Sequence, residues 1–321
     1  MSSAACLVTG GAGFIGSALV DLLVRSGWQV RVLDDLSSGR RENLPLSDCE
    51  LIEGDVREPS VVRRATEGAR AVFHLAALPS VVESVAEPAR THAINVGGTL
   101  NVLEAARAAS VERIVLAGSC AAYGESEQLP LDEAERPAPA SPYALQKVIC
   151  EEYARLYSEL YGLAVVALRF FNVYGPRQNP AGEYAAAVPR FVAAALRGEP
   201  LQVFGDGAQS RDFVYVDDVA RACLLGAQVS AAAGRIINVA SGRRTRVNEL
   251  VAALARCVGR DLEVAYRPRR PGEVRHSVAS LAVARRVLGF EPEVSLDAGL
   301  RMTLERTRAC ELATGGGGST R

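Results

Sequence analysis

Thr9-Gly10-Gly11-Ala12-Gly13-Phe14-Ile15-Gly16 joins an apolar run at 6–9 to a stretch at 14–25 that carries Ile15, Ala18, Leu19 and Leu22 on one helical face. The run before it reads as a buried strand. Glycines between a strand and a helix permit a tight turn, and they let backbone N–H groups approach a pyrophosphate at the helix N-terminus. A glycine pattern alone is weak, because ordinary turns carry it too. Here a second strand at 28–33 runs into Asp34. A carboxylate at that point accepts hydrogen bonds from adenosine ribose hydroxyls and repels a 2′-phosphate. The expected cofactor is therefore NAD rather than NADP, with Gly10, Gly13 and Gly16 against its pyrophosphate. Arg40 and Arg41 argue mildly the other way, but they read as part of a solvated loop.

Working outward, short apolar runs at 50–53, 71–75, 113–117 and 165–170 alternate with helical patterns, notably 95–109 and 142–161. Such alternation predicts an α/β chain with a Rossmann-type, doubly wound parallel sheet. Gly54-Asp55-Val56 follows the third strand, where the adenine should lie. Leu75-Ala76-Ala77 ends the fourth, and small residues there let a dinucleotide pass close. After Asn172 the pattern loosens into Gly/Pro-rich loops, which reads as a smaller C-terminal substrate-binding lobe. The expected division is a cofactor domain over 1–171 with a later contribution from about 213–240. The lobe takes 172–212 and 241–312, and 313–321 is a flexible tail.

The 321 residues are 49% apolar, enough for a large interior, and no run approaches a membrane span. A net charge of -1 argues against nucleic acid or a membrane as the partner. The seven cysteines are scattered, odd in number and without a C-x-x-C pair, and the three histidines lack ligand spacing. Neither a disulfide scaffold nor a metal site is expected. With no export signal at the start, a cytoplasmic enzyme is expected.

Of 36 basic residues, 35 are arginine and one, Lys147, is lysine. A chain that uses guanidinium almost everywhere has kept one compact ammonium, so that place needs it. Lys147 lies one helical turn after Tyr143, on the same face. An ordinary tyrosine, with a pKa of about 10, is a poor base at neutral pH. A neighbouring ammonium and a positive nicotinamide ring both favour its phenolate. Tyr143 could then take a proton from a sugar hydroxyl while hydride leaves the same carbon. Ser119, at the end of the fifth strand, would hold that hydroxyl. Tyrosine and lysine four apart also occur on plain surface helices, but the glycine loop, Asp34 and the lone lysine together weigh against that reading.

With these residues in place, the chain resembles the extended short-chain dehydrogenase/reductases of the NAD-dependent epimerase/dehydratase family. The resemblance runs from the glycine loop to about Pro292. It rests on Gly10-x-x-Gly13-x-x-Gly16, Gly118-Ser119-Cys-Ala-Ala-Tyr123-Gly, Tyr143-x-x-x-Lys147, Arg169-Phe-Phe-Asn172-Val-Tyr-Gly-Pro176 and Arg211-Asp212-Phe213-x-Tyr215-Val216-x-Asp218. It implies that Phe14, Ile15, Asp35, Ser38, Gly39, Asp55, Val56, Leu75, Ala76, Ala77 and Asn95 join the cofactor site. It implies a UDP-sugar substrate, with Asn172, Arg211 and Arg270 toward the diphosphate and Glu273 on the uridine ribose. Arginines suit that task because they pair bidentately with phosphate oxygens. The resemblance also implies a homodimer built through the helices at 95–109 and 142–161. Ser80 and Val188 match substrate contacts of the UDP-N-acetylglucosamine 4-epimerase branch. Ser277 stands where glucose-restricted epimerases carry a bulky side chain, which leaves room for an N-acetyl group. Asn179 replaces the basic residue of glucuronate epimerases.

The first step should be oxidation at carbon 4, after which the paths divide. The 4,6-dehydratases follow the serine with Asp and Glu, and this chain has Cys120 and Ala121. An unperturbed thiol, with a pKa of about 8.5, could move a proton, although cysteine is as often a small packing residue. On this reading Cys120 assists loss of the carbon 6 hydroxyl. The expected activity is then a UDP-N-acetylglucosamine 5,6-dehydratase like that of tunicamycin biosynthesis, a lyase of antibiotic assembly. The carbon 5 base is unassigned: Tyr143 can serve, while Glu183 and Tyr123 are weaker choices and Tyr123 suits a structural part better. The alternative is a 4-epimerase of UDP-N-acetylglucosamine and UDP-glucose. A non-catalytic NAD-binding regulator is a remote third, since such members usually lack the Tyr/Lys pair.

Overall fold

The computed structural model describes residues 4–180, 186–269 and 274–315. Seven strands form one parallel sheet: β1 (Ala5–Thr9), β2 (Gln29–Asp34), β3 (Cys49–Glu53), β4 (Ala71–His74), β5 (Arg113–Ser119), β6 (Val165–Phe170) and β7 (Ile236–Val239). Their spatial order is β7-β6-β5-β4-β1-β2-β3. The order reverses between β1 and β4, so a crevice opens there at the carboxyl ends of the strands. The predicted alternation thus holds. The strand Ile236–Val239 joins the same sheet beside β6.

The side-chain period of two explains why both faces are covered. Cys6, Val8, Val32, Phe73, Val115, Val166 and Leu168 point to one face, against Leu19 and Leu23 of α1 (Phe14–Arg25). Val219 and Cys223 of the helix Val216–Gln228 pack on the same face. Leu7, Leu33, Val72, Ile114, Leu116 and Ala167 point to the other face. There they meet Val102 and Leu103 of α2 (Gly98–Ala108) and Cys150, Ala154 and Tyr157 of α3 (Pro142–Tyr161). The helix predicted from residue 95 begins as a π-turn, Ala93–Gly97, before α2 takes over. Ser141 caps α3 through the Ala144 amide, Pro142 opens it, and Gly162, left-handed, closes it.

A third cluster gathers Phe191 and Val192 from Ala187–Arg197, Leu250 and Leu254 from Val247–Val258, and Leu300 and Leu304 from Leu296–Gly315. Phe14 and Ile15, at the head of α1, pack against it. The helix Leu296–Gly315 continues into the stretch expected to be tail. Two buried carboxylates fasten this part to the sheet. Asp218 accepts from the Glu293 and Val294 amides and from Arg221. Asp212, wholly buried, accepts from the Ser241 amide and hydroxyl on one oxygen and from the Gly242 and Ala279 amides on the other. No described helix is long and apolar enough to cross a membrane.

Asp212→Ala would leave three amides without their acceptor, the Ala279 amide buried and those of Ser241 and Gly242 part-buried. The expected loss is about 2–4 kcal/mol of unfolding free energy. A denaturant midpoint unchanged from the parent protein would remove Asp212 from the fastening of this region.

Candidate functional site

The glycine loop is built by close approaches. Gly10 has φ +70°, and its amide donates to the Leu33 carbonyl. A Cβ on Gly10 would lie 2.7 Å from the Ala76 amide, one on Gly11 2.7 Å from Val32, and one on Gly16 inside the Gly10 carbonyl oxygen. Leu75-Ala76-Ala77 therefore crosses directly beside the loop, tied to Thr9 through the Leu75 and Ala76 amides. Gly13 caps α1 without a side chain, so the first-turn amides around Phe14, Ile15 and Gly16 meet no capping group at that position. This cradle fits a dinucleotide pyrophosphate.

Asp34 is buried at the end of β2. Its carboxylate accepts from the Ala12 amide on one oxygen and from the Leu36 amide on the other, each at 2.9 Å. Burial raises its pKa, with the two amides opposing. Each oxygen keeps a lone pair, so Asp34 can shape the loop and still accept a ribose hydroxyl. Asp35 is engaged in a turn with Ser37, and Ser38 is exposed beside it. At Gly39 a Cβ would press on Ala12 and Asp34. Asp55 is committed to Arg57, which lowers its pKa, and Val56 is buried below Gly98. Arg41 pairs with Glu53, so it is engaged at the β3 edge.

Asn95, in the π-turn, accepts the Leu78 amide on Oδ1 and donates through Nδ2 to the Leu78 carbonyl and to Gln146 Oε1. Beneath it His74 bridges Thr9 and Thr99. Burial, with Lys147 nearby, pushes its imidazole down to about 3, so it stays neutral. Ser80 caps the short helix Val81–Ala86 by accepting from the Glu83 amide.

Tyr143 and Lys147 are both buried on α3, with the Lys147 Nζ 6.0 Å from the Tyr143 ring centroid. Nζ donates to the Ala117 carbonyl of β5 at 2.8 Å. A compact ammonium suits this space, which accounts for the single lysine. Ser119 ends the same strand two residues on, and its hydroxyl accepts from the Ala121 amide. Lys147 is thus tied to the strand that ends in Ser119, and α3 packs on the turn that follows it. Three partners were invisible in the sequence. Ser84 accepts the Tyr143 amide, and a lone serine in a distant short helix gives no signal. Glu151 and Arg169 form a buried pair behind Lys147. The only signal for Glu151 is its spacing, i+8 from Tyr143.

Cys120 begins the turn Cys120–Tyr123. Burial pushes its thiol up to about 12, against the pull of Arg211. Desolvation favours the neutral thiol, a form that can give a proton but not take one. Tyr123 is buried, donates to Asn238 Oδ1 at 2.7 Å and lies 4.5 Å below the Arg169 guanidinium, in keeping with a structural part.

Toward the third cluster, Asn172 donates to the Asp212 carbonyl. Arg211 donates to the Ser210 and Arg275 carbonyls. Ser277 is buried and bonded through its amide to Ser210, and Val188 is buried at the start of its helix. Burial and the charges of Arg244, Arg275, Arg211 and Arg246 lower the His276 pKa. Such crowding of cations suits a polyphosphate. Arg270, Glu273 and Glu183 lie outside the described residues. No cluster of metal-ligating side chains occurs among the described residues.

The profile of the NAD dependent epimerase/dehydratase family matches residues 6–240. The UDP-glucose 4-epimerase of Mycolicibacterium smegmatis is 42% identical, over 93% of this chain and 97% of its own. Among solved structures, a UDP-glucose 4-epimerase from Thermotoga maritima, bound to UDP-glucose, is 42% identical with a TM-score of 0.92, covering 95% of this chain and 99% of its own. A UDP-N-acetylglucosamine 4-epimerase from Methanobrevibacter ruminantium, in complex with UDP-N-acetylmuramic acid, is 38% identical with a TM-score of 0.92. It covers 97% of this chain and all of its own.

A thiol held near 12 is only about one part in ten thousand thiolate at pH 8. Cys120 should therefore alkylate about a thousandfold more slowly than free cysteine there, and faster as pH rises. Peptide mass spectrometry after timed iodoacetamide treatment reads this, and rapid labelling at pH 8 would contradict the neutral thiol.

Proposed function

Since the chain belongs to the NAD dependent epimerase/dehydratase family, we propose that this NAD-dependent enzyme is a UDP-sugar 4-epimerase acting on UDP-N-acetylglucosamine and UDP-glucose. The observation that carries the reading is the buried Tyr143–Lys147 pair beside Ser119, with no acid following that serine. Ser119 orients the carbon 4 hydroxyl. Tyr143, as phenolate, takes its proton, and the Lys147 ammonium, fixed on Ala117, favours that phenolate. NAD, when bound, supplies a reversible hydride acceptor. Tyr143 then returns the proton once hydride has come back to the opposite face of the 4-keto sugar.

Gly10, Gly13 and Gly16 receive the pyrophosphate and Asp34 the adenosine ribose. Phe14, Ile15, Leu75, Ala76 and Ala77 flank the crossing. Asp35, Ser38, Gly39, Asp55, Val56 and Asn95 shape its borders, several of them through the backbone ties described above. Residues 1–171 with 213–240 form the cofactor unit, and 172–212 with 241–312 the substrate unit. Asn172, Arg211, Arg270 and Glu273 bind the UDP part, with Ser80 and Val188 nearer the sugar. Ser277, small and buried, leaves space for the N-acetyl group. The second reading is the UDP-N-acetylglucosamine 5,6-dehydratase, favoured by Cys120 in place of the usual small serine or alanine. It ranks second because the relatives reported above are named 4-epimerases.

One incubation in deuterated water separates them. With UDP-N-acetylglucosamine the epimerase gives a galacto product of unchanged mass, without solvent deuterium. Loss of one water with new vinylic protons would replace it by the dehydratase. Inertness toward both UDP-sugars, with NAD bound, would sink both and revive the non-catalytic regulator.

We further propose a homodimer. Leu145, Leu156 and Leu160 are exposed on α3, in line with partly buried Ile149 and Tyr153. Val81 and Val85 are exposed on the short helix packed beside it. A stripe of this kind is a helix-bundle seam. Light scattering should give twice the 34.0 kDa chain mass, and Leu160→Glu should halve it. A monomer at micromolar concentration would refute the dimer.

A further inference from the structure

Glu151 and Arg169 lie outside every step above, yet both are deeply buried beside the site, at 2% and 1% exposure. On α3, Tyr143, Lys147 and Glu151 follow one another at i, i+4 and i+8, all on the buried face. Glu151 receives two parallel bonds from Arg169 of β6, Nε to Oε1 at 3.0 Å and Nη2 to Oε2 at 2.8 Å. β5 runs beside the pair, with Gly118 in register with Arg169. At Gly118 a Cβ would come within 2.9 Å of Glu151 Oε1 and 3.1 Å of the Leu168 carbonyl. Gly118 separates Ala117, which holds Lys147, from Ser119. Arg169 also stacks on Tyr123 in the turn that follows Ser119. One ion pair thus touches the helix of Tyr143 and Lys147, the strand and turn of Ser119, and β6.

We propose that Glu151–Arg169 is a positioning pair for the reacting group. It fixes the spacing between Tyr143 and Ser119. By cancelling its own charge, it leaves the Lys147 ammonium as the net charge acting on Tyr143. The charged and titratable groups around the pair are Lys147 on α3, Tyr123 and Cys120 in the turn, and Glu133 on the facing loop. The ion pair of Arg169 is with Glu151, while the Glu133 carboxylate accepts the Asn238 amide. A lone buried charge is costly, whereas a neutral replacement of both partners is tolerated. The pair can therefore be dissected by charge sign.

Glu151→Gln leaves the cation uncompensated, and Arg169→Gln leaves the anion. The helix rise puts Glu151 about 12 Å from Tyr143. At that range an unbalanced charge should move the phenol titration by about one pH unit. The direction should be down for Glu151→Gln and up for Arg169→Gln. The primary readout is phenolate absorbance of the NAD-loaded protein, taken as the difference between each variant and the same variant carrying Tyr143→Phe. It needs no turnover, so it stands apart from the epimerase reading, on which the proposal rests only for its rate measurement. There, with the sugar the parent enzyme turns over, kcat should fall about ten- to a hundredfold with KM changed little. The double variant Glu151→Gln/Arg169→Gln should bring the midpoint back to the parent value while kcat stays low. Midpoints that do not move, or move the same way in both single variants, would overturn the charge balance. If the single variants do not fold, the neutral double variant is read alone. A parental kcat in it overturns the positioning, and a displaced midpoint overturns the charge balance.

Discussion

The backbone of Gly10 passes so near Ala76 that a methyl group would not fit between them. That approach follows from the sheet reversal. β1 and β4 are neighbours in space, and the chain leaves them toward opposite faces, so their carboxyl ends open into one crevice. Every later feature uses this crevice. α1 points its amides into it, Asp34 closes its far side, and the loop 75–77 borders the near side. The Tyr143–Lys147 helix lies across β5 next to it. A bulkier residue at position 10 would displace both borders at once.

Much of this was legible in the sequence because it is local. A strand, a glycine loop and a helix in succession, an acid at the next strand end, and a tyrosine one helical turn before a lysine all lie within short windows. The main helices Phe14–Arg25 and Pro142–Tyr161 were legible to the residue because caps and breakers mark their ends. What escaped depends on packing between distant segments. The short pairings, such as Ser210–Arg211 with Thr245–Arg246, have no period of their own. Glu151 reads as a polar position on an amphipathic helix, and only the fold turns it inward onto Arg169. The Cys120 thiol reads as an ordinary cysteine until the packed turn around it raises its pKa, while the likeness to 4-epimerases moved the favoured chemistry from dehydration to epimerisation.

The polar interior shows a division of labour. Asp34, Asp212 and Asp218 hold backbone amides and so define the paths of loops. Lys147 and Glu151 hold elements of the sheet and so define distances between side chains. Residues of the first kind can often be found from motifs, because loops are where motifs lie. Residues of the second kind are found only once the layers are assembled.

The near-total use of arginine has a consequence for the protein as an electrolyte. Guanidinium groups keep their protons throughout the alkaline range. The buried thiols of Cys6, Cys120 and Cys223 are themselves pushed up to about 12. With one lysine, the groups left to titrate between neutrality and strong alkali are chiefly the nine tyrosines and seven cysteines. The arginine side of every ion pair that shapes this molecule therefore keeps its charge over several pH units, so these pairs outlast any that a lysine would make.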